Sequence, residues 1–410
     1  MKWSEAFAPL RSQSFAWYYA SRFSNTLGSM MAGVALAFAV LDLTGSASAL
    51  GQVLAARTVP LVVFLLFGGV IADRFPRTLV LQLSNVLSAL TQGLVAWLVI
   101  TGSAQLWMIV VLEVVNGTVS AMSFPAMAGM VPQLVPREQL QPANALLSLS
   151  RGGLTIIGPT LAALIVVAYG PGWALAVDAF MWLLAALLLL RVRIPPRPPA
   201  QEQTSTLQEL REGWRFFVST TWLWVVVLAF SVLNAIHAGA GFTLGPARAE
   251  ESIGRQGWGF VLSAESAGLL LMTLVLLRVQ VSRPLLVGML GCSLMGVPMV
   301  LLGVEPHLLV LVLATFVAGA GIELFSMGWN LAMQENIDDR MLSRAYSYDA
   351  LGSFVAMPVG QLIYGPLGEA FGYRDVLLAS GIVYVAVAML TLGSRSVRDL
   401  PRVAHVDAVI

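Results

Sequence analysis

Nine ionisable side chains stand inside stretches that are otherwise apolar: Arg22, Arg57, Glu113, Arg151, Asp178, His237, Glu265, Glu323 and Asp349. Placing such a group in hydrocarbon costs roughly 2.5–3.5 kcal/mol on insertion scales, so each must be paired, solvated or functional. Their types suit the movement of protons and the holding of ions. With His237 neutral, the set contains three cations and five anions; the arginines all fall in the first half, and Glu265, Glu323 and Asp349 in the second. Three ion pairs would leave two acids over. A carboxylate buried without a partner tends to hold a proton, and a protonatable acid near the middle of a membrane is what proton coupling requires. His237, with an unperturbed pKa of about 6.5, would suit a proton relay, or else serve as a hydrogen-bonded core group.

Bond-breaking chemistry finds no support. There is no G-x-x-x-x-G-K-[ST] loop, and the single lysine, Lys2, excludes one. No H-E-x-x-H, Ser/His or paired-Asp arrangement is present, so the chain does not read as an enzyme. Cys292 is alone in an apolar run, while His307 and His405 fall in a loop and a tail, which leaves no metal-ligand cluster and no implied cofactor. The net charge of +1 and the absence of a basic block give no case for nucleic acid.

The elements that must position these groups follow from composition. The 410 residues are 58% hydrophobic and 11% charged, with a mean hydropathy of +0.81, against about 25% charged in soluble domains. Most of the outer face must therefore meet lipid. A bilayer needs about 20 apolar residues of helix. Twelve runs qualify: 15–41, 47–72, 78–101, 105–130, 141–168, 172–191, 221–244, 257–278, 284–303, 307–333, 342–368 and 373–394. Arginines crowd the connections on the side of the termini, whereas the opposite loops hold only Arg248, Arg255 and Arg374. The positive-inside rule then puts both termini in the cytoplasm. The N-terminus shows no cleavable signal.

One long connection, 192–220, opens Pro-rich and continues with Thr206 and Glu209 at capping-box spacing and Leu207, Leu210, Trp214 and Phe217 at helical intervals. It reads as an amphipathic helix on the inner membrane surface. It divides a six-helix unit, 1–191, from a second, 221–410. The halves repeat with an offset of 202: Leu140 meets Leu342, Ala143 meets Ala345, Gly158 meets Gly360, and Gly170 meets Gly372. Parallel repeats of this kind build one known transporter architecture.

Depth ranks the buried charges. At about 1.5 Å per residue, Glu113 lies near the midplane of the fourth run and Arg151 at a comparable depth in the fifth. Glu113 with Arg22 or Arg151 is the first choice for a coupling site, the alternative being a permanent ion pair. Glu265 and Glu323 follow as substrate or proton sites; Asp178, six residues into its run, reads as interfacial. Arg22 and Asp349 lie nearer the terminus side, where gating or structural roles compete. Trp17, Tyr18, Tyr19, Trp222 and Trp224 read as interface anchors. Phe38, Trp182, Phe230, Phe325 and Trp329 could face either a cavity or lipid.

The stretch Gly69 to Arg77, GVIADRFPR, resembles the loop between helices 2 and 3 of the major facilitator superfamily, G-x-x-x-D-R-x-G-R-R/K. Gly69, Asp73, Arg74 and Arg77 match; Pro76 and Thr78 depart from it. Residues 124–159 resemble the helix 4–5 region of the drug:proton antiporter branch that contains macrolide exporters and the enterobactin exporter. Gly158-Pro159 matches the end of that branch's helix-5 motif, although Leu154 stands where the motif has Gly. The resemblance covers nearly the whole chain. It implies an all-α membrane protein with twelve helices in two pseudo-symmetric six-helix bundles, in which helices 1, 4, 7 and 10, carrying Arg22, Glu113, His237 and Glu323, line a central cavity. It further implies that Asp73 faces the start of helix 11, with Arg74 and Arg77 reaching Asp338 or Asp339 to close the cytoplasmic side. The expected function is proton-driven export of amphipathic small molecules such as a drug, antibiotic or siderophore-like metabolite, by a monomer in a bacterial plasma membrane. A facilitator or importer, or a non-transporting receptor on the same scaffold, is the alternative. The expected partners are the substrate, protons and lipid.

Overall fold

Backbone polar groups in hydrocarbon must be satisfied within their own segment, which leaves helices as the spanning elements of a chain this apolar. A computed structural model describes residues 7–74, 76–128, 130–136, 139–193, 214–276, 279, 281–304 and 307–400; the side chains of 65–74, 124, 125, 128, 141, 339, 340, 343, 344 and 347 fall outside the description. Its helices provide 12 spans of membrane-crossing length and apolarity. They are α1 (Gln13–Thr44), α2 (Ala47–Arg74), α3 (Arg77–Ile100), α4 (Leu106–Ala128), α5 (Leu140–Tyr169), α6 (Pro171–Leu189), α7 (Thr221–Ile236, continued through His237–Leu244 and Gly245–Ser252), α8 (Gly254–Leu276), α9 (Pro284–Ser293 with Gly296–Gly303), α10 (Leu308–Asn336), α11 (Asp339–Phe354 with Met357–Phe371) and α12 (Tyr373–Thr391).

The irregularities have a shared cause. Proline lacks an N–H, and its ring crowds the carbonyl four residues earlier. α9 breaks at Leu294, four before Pro298, and α11 breaks after Phe354, four before Pro358. In α7 the chain widens into a π-helix over His237–Leu244, just ahead of Pro246. That bulge lets α7 continue to Ser252, beyond the expected limit at 244. Gly254, at φ +76°, then turns the chain into α8.

The repeat is visible in three dimensions. Gly170 and Gly372 take φ of 91° and 86° and begin α6 and α12. Gly158 of α5 packs on Met30 of α1, and Gly360 of α11 packs on Ala235 of α7, the same contact in each half. Within the halves, α2 packs on α4 as α8 packs on α10, and α3 on α6 as α9 on α12. The halves meet along two matching seams, α5 with α8 and α2 with α11. Small residues permit the close approach: a Cβ at Gly51 would run into the backbone of Gln361, and one at Gly259 into Ala163.

The amphipathic helix expected after the Pro-rich stretch lies largely outside the described residues. Its described end, 214–219, is helical. There Trp214 and Phe217 pack on Tyr348 of α11, each with ring centroids 5.8 Å away, so part of the apolar face expected to meet lipid rests on the protein instead.

Candidate functional site

Glu113, on α4, is fully buried. Its Oε1 accepts a hydrogen bond of 3.0 Å from Gln92 of α3, and its Oε2 lies 3.9 Å from Arg57 of α2. Arg22 and Arg151, the partners expected from depth, point elsewhere. Counting residues along a helix gives height but not which faces meet, and α2 is the neighbour that α4 packs against. Asp178 of α6 is likewise fully buried within the protein, tucked against Gly28 of α1. Its oxygens make no close hydrogen bond; the Trp182 indole is a longer-range donor, and Arg57 and Glu113 both act on it electrostatically. Two carboxylates therefore share one guanidinium inside the first half.

Removing one member of a buried pair strands the other, at a cost of about 3–5 kcal/mol. Because Arg57 keeps 29% side-chain exposure, Arg57→Gln is expected near the lower end of that range. Thermal denaturation of the purified protein should show a clear fall in Tm, most of it recovered in the Arg57→Gln/Glu113→Gln double variant. A double variant no more stable than the single would show that the pair does not hold the half together.

The second half contains no arginine partner for its half-buried acids among the described residues. Glu323 of α10 accepts from Thr273 of α8 at 2.8 Å. Asp349 of α11 accepts from the Trp329 indole at 2.9 Å and from Ser353 at 3.0 Å. Trp329 belongs to an aromatic stack with Phe325 and Phe230, the latter two 4.0 Å apart, so these rings pack on one another. The expected three ion pairs among the intramembrane charges reduce to one, Arg57–Glu113.

Glu265 of α8 occupies a different setting. It lines a cavity of about 290 Å³ between the halves, walled by Met30, Val34 and Leu54 on one side and Phe242, Trp258 and Leu262 on the other. It also lines an apolar pocket inside the second half that reaches His237. His237 stands at the start of the π-helix, its ring edge-on to Phe242 at 5.0 Å, and its buried Nδ1 has no hydrogen bond. π-bulges concentrate at functional sites because they re-aim side chains. On the first-half side the cavity wall includes Pro159, one residue past Gly158.

At the end of the molecule away from the chain termini, the halves are clasped by groups that in the sequence look like ordinary loop charges. Arg255, second residue of α8, pairs with Asp42 of α1 and Glu250 of α7 and lies 5.0 Å over the ring of Phe38. Glu369 of α11 accepts from Ser46 Oγ at 2.6 Å, Ser48 N at 3.0 Å and Ser48 Oγ at 2.6 Å. It thereby places a carboxylate on the N-terminus of α2, where free N–H groups and the helix dipole favour negative charge. An acid immediately after the end of a predicted span, 342–368, was the available signal. The Asp73 contact implied by the resemblance lies outside the described residues, as do the side chains of Gly69, Arg74 and Asp339. Of the remaining members, Arg77 is the first residue of α3 and Asp338 the N-cap of α11, without a side-chain cap bond.

Twelve membrane helices in two halves around a cleft define a membrane transporter of the major facilitator type. The chain belongs to the family described as Transmembrane secretion effector, whose model matches residues 4–407. It is 23% identical over 397 residues to the uncharacterized MFS-type transporter YfiS of Bacillus subtilis (strain 168), covering 93% of each chain. It is 21% identical to macrolide efflux protein A of Streptococcus pyogenes, covering 93% of this chain and 96% of that one. With enterobactin exporter EntS of Escherichia coli O1:K1 / APEC the identity is 23%, over 92% and 91%. The nucleoside transporter NupG superposes with a TM-score of 0.73 at 13% identity, over 93% of this chain and 98% of NupG. The family and these neighbours are transporters, not enzymes.

Proposed function

We propose that this transporter exports amphipathic small molecules in exchange for protons, by rocking two bodies, 1–191 and 221–410, about the cleft between them. The observation that carries this reading is Glu265: an acid on the wall of a largely apolar cavity, with no cation paired to it among the described residues. Such a group can hold a proton when the cavity is dry and release it when water enters, which links protonation to the state of the cleft. The macrolide and enterobactin exporters among the relatives support the outward direction and an amphipathic cargo. The arginine asymmetry supports a bacterial plasma membrane topology with cytoplasmic termini, which makes the clasp of Arg255 and Glu369 an outer gate and the Asp73 loop an inner one. The protein acts as a monomer in this reading.

Each proton exchanged for a neutral solute contributes about 1.4 kcal/mol per pH unit, or tenfold accumulation. Purified protein in liposomes with an imposed pH gradient is therefore expected to accumulate at least one of three fluorescent amphipaths: ethidium, N-phenyl-1-naphthylamine or 8-anilino-1-naphthalenesulfonate. Equal uptake with and without the gradient for all three would contradict proton coupling, and would instead describe a facilitator.

A further inference from the structure

Arg22 and Arg151 take no part in the proton chemistry above, and they face a common space. A cavity of about 300 Å³ between α1 and α5 is lined by both arginines together with Tyr18, Tyr19, Thr26 and Ser148. No carboxylate lines it among the described residues. Arg22 donates only to Asn25 Oδ1, at 3.3 Å, and to the Met127 sulfur, at 2.7 Å. Among the described residues Arg151 makes no hydrogen bond or ion pair, and its side chain lines the same cavity as that of Arg22. Like charges brought together without a counter-charge are unfavourable. Planar guanidiniums are also the groups best shaped to receive a carboxylate, sulfonate or phosphate.

This cavity and the cleft of Glu265 are consecutive stretches of one surface. On α1 the lining runs from Arg22 through Thr26 to Ser29, Gly33 and Ala37; on α5 it runs from Arg151 to Thr155 and Pro159. These spacings of three and four residues keep one helix face. The cationic end lies toward the face that carries the termini, and the apolar end toward the clasp. From Arg22 to Ala37 the path is about 22 Å at 1.5 Å per residue.

We infer that the preferred solute is an amphipathic anion, its acidic group held between Arg22 and Arg151 and its apolar body laid along the α1–α5 wall toward Phe242 and Trp258, a neutral analogue being carried with lower affinity. This rests on the reading that the cleft carries the cargo. It also divides the labour within the cleft: the first half holds the charge of the solute, and the second half, with Glu265, holds the proton.

The test uses two probes with one skeleton. 8-Anilino-1-naphthalenesulfonate is N-phenyl-1-naphthylamine plus a sulfonate, and both brighten in apolar surroundings. Binding to the full-length protein in phosphatidylcholine nanodiscs is measured without any gradient, with empty discs subtracted. The anion is expected to bind at least tenfold more tightly than the neutral probe. Arg151→Glu, at an exposed side chain with no partner to lose, should remove that preference and leave the neutral probe within about twofold; Arg22→Gln/Arg151→Gln should do the same. Equal affinities in the wild type, or an anion affinity unmoved by Arg151→Glu, would overturn the inference. Discs of phosphatidylglycerol separate two sources of the acidic group: a lipid headgroup would compete with the anionic probe, a free solute would not, and either result leaves an anion as the occupant. Because no gradient is applied, anion binding without pH-driven uptake would refute proton-coupled export alone, whereas pH-driven uptake without anion preference would refute this assignment alone.

Discussion

Glu265→Gln is expected to abolish pH-gradient-driven accumulation of a transported neutral probe while leaving probe–probe exchange at equilibrium intact. Glutamine preserves the size of the side chain and its capacity to hydrogen-bond, so the cavity shared with Met30, Leu54, Phe242 and Trp258 keeps its shape. What is lost is titration. A gradient of two pH units supplies about 2.7 kcal/mol per proton, enough for roughly 100-fold accumulation in one-for-one exchange; without a proton-carrying group the ratio should fall to 1. Glu113→Gln should behave differently. Glu113 is fully buried within the first half and already engaged by Gln92 and Arg57, so its replacement should change stability more than coupling. Uptake by Glu265→Gln that still follows the gradient would remove this residue from the proton path.

The second large effect concerns the clasp at the end away from the termini. Its ion pairs are partly exposed, with side-chain exposures of 23% for Arg255, 41% for Asp42 and 39% for Glu250, and such pairs contribute about 0.2–1 kcal/mol each. The hydrogen bonds accepted by Glu369, an exposed side chain, add about 0.5–1.5 kcal/mol. These magnitudes suit a gate: conformational equilibria of a few kcal/mol are held by such contacts and reversed by ligand binding. Linking Ser46→Cys to Glu369→Cys with a short bismaleimide is therefore expected to stop transport almost completely, while each single variant treated in the same way stays active. The chain offers a clean background, since Cys292 is its single cysteine and is fully buried against Tyr384. Linked protein that transports at the unlinked rate would show that the clasp stays closed throughout the cycle.

Much of this architecture was legible in the sequence because hydrocarbon imposes it. Twelve apolar runs became twelve helices, and the 202-residue offset reappears as the paired turns at Gly170 and Gly372. Where the sequence misled, the missing quantities were the true helix ends and which helices are neighbours. Arg57 and Glu113 lie about 15 Å and 11 Å along their helices from the face away from the termini, whereas Arg22 and Arg151 lie about 33 Å and 27 Å from the same face once the true ends of α1 and α5 are counted. Matching depth and the packing of α2 on α4 together select Arg57. The continuation of α7 past Leu244 was hidden for another reason: Gly and Pro in HAGAGFTLGP read as a stop, yet a π-helix absorbs Pro246 without ending the span. The clasp was missed because Asp42 and Arg255 are far apart in sequence and each alone looks like a solvated end charge.

Proton movement reports most directly on whether Glu265 couples the cycle. Liposomes loaded with a pH-sensitive dye, without an imposed pH gradient and with the membrane potential clamped, would be given an outward gradient of a transported neutral amphipath. Wild type and Glu113→Gln should drive a proton flux opposite to the solute, and Glu265→Gln should move solute with no proton flux. Solute-dependent proton flux of wild-type size in Glu265→Gln would contradict the mechanism proposed for this transporter.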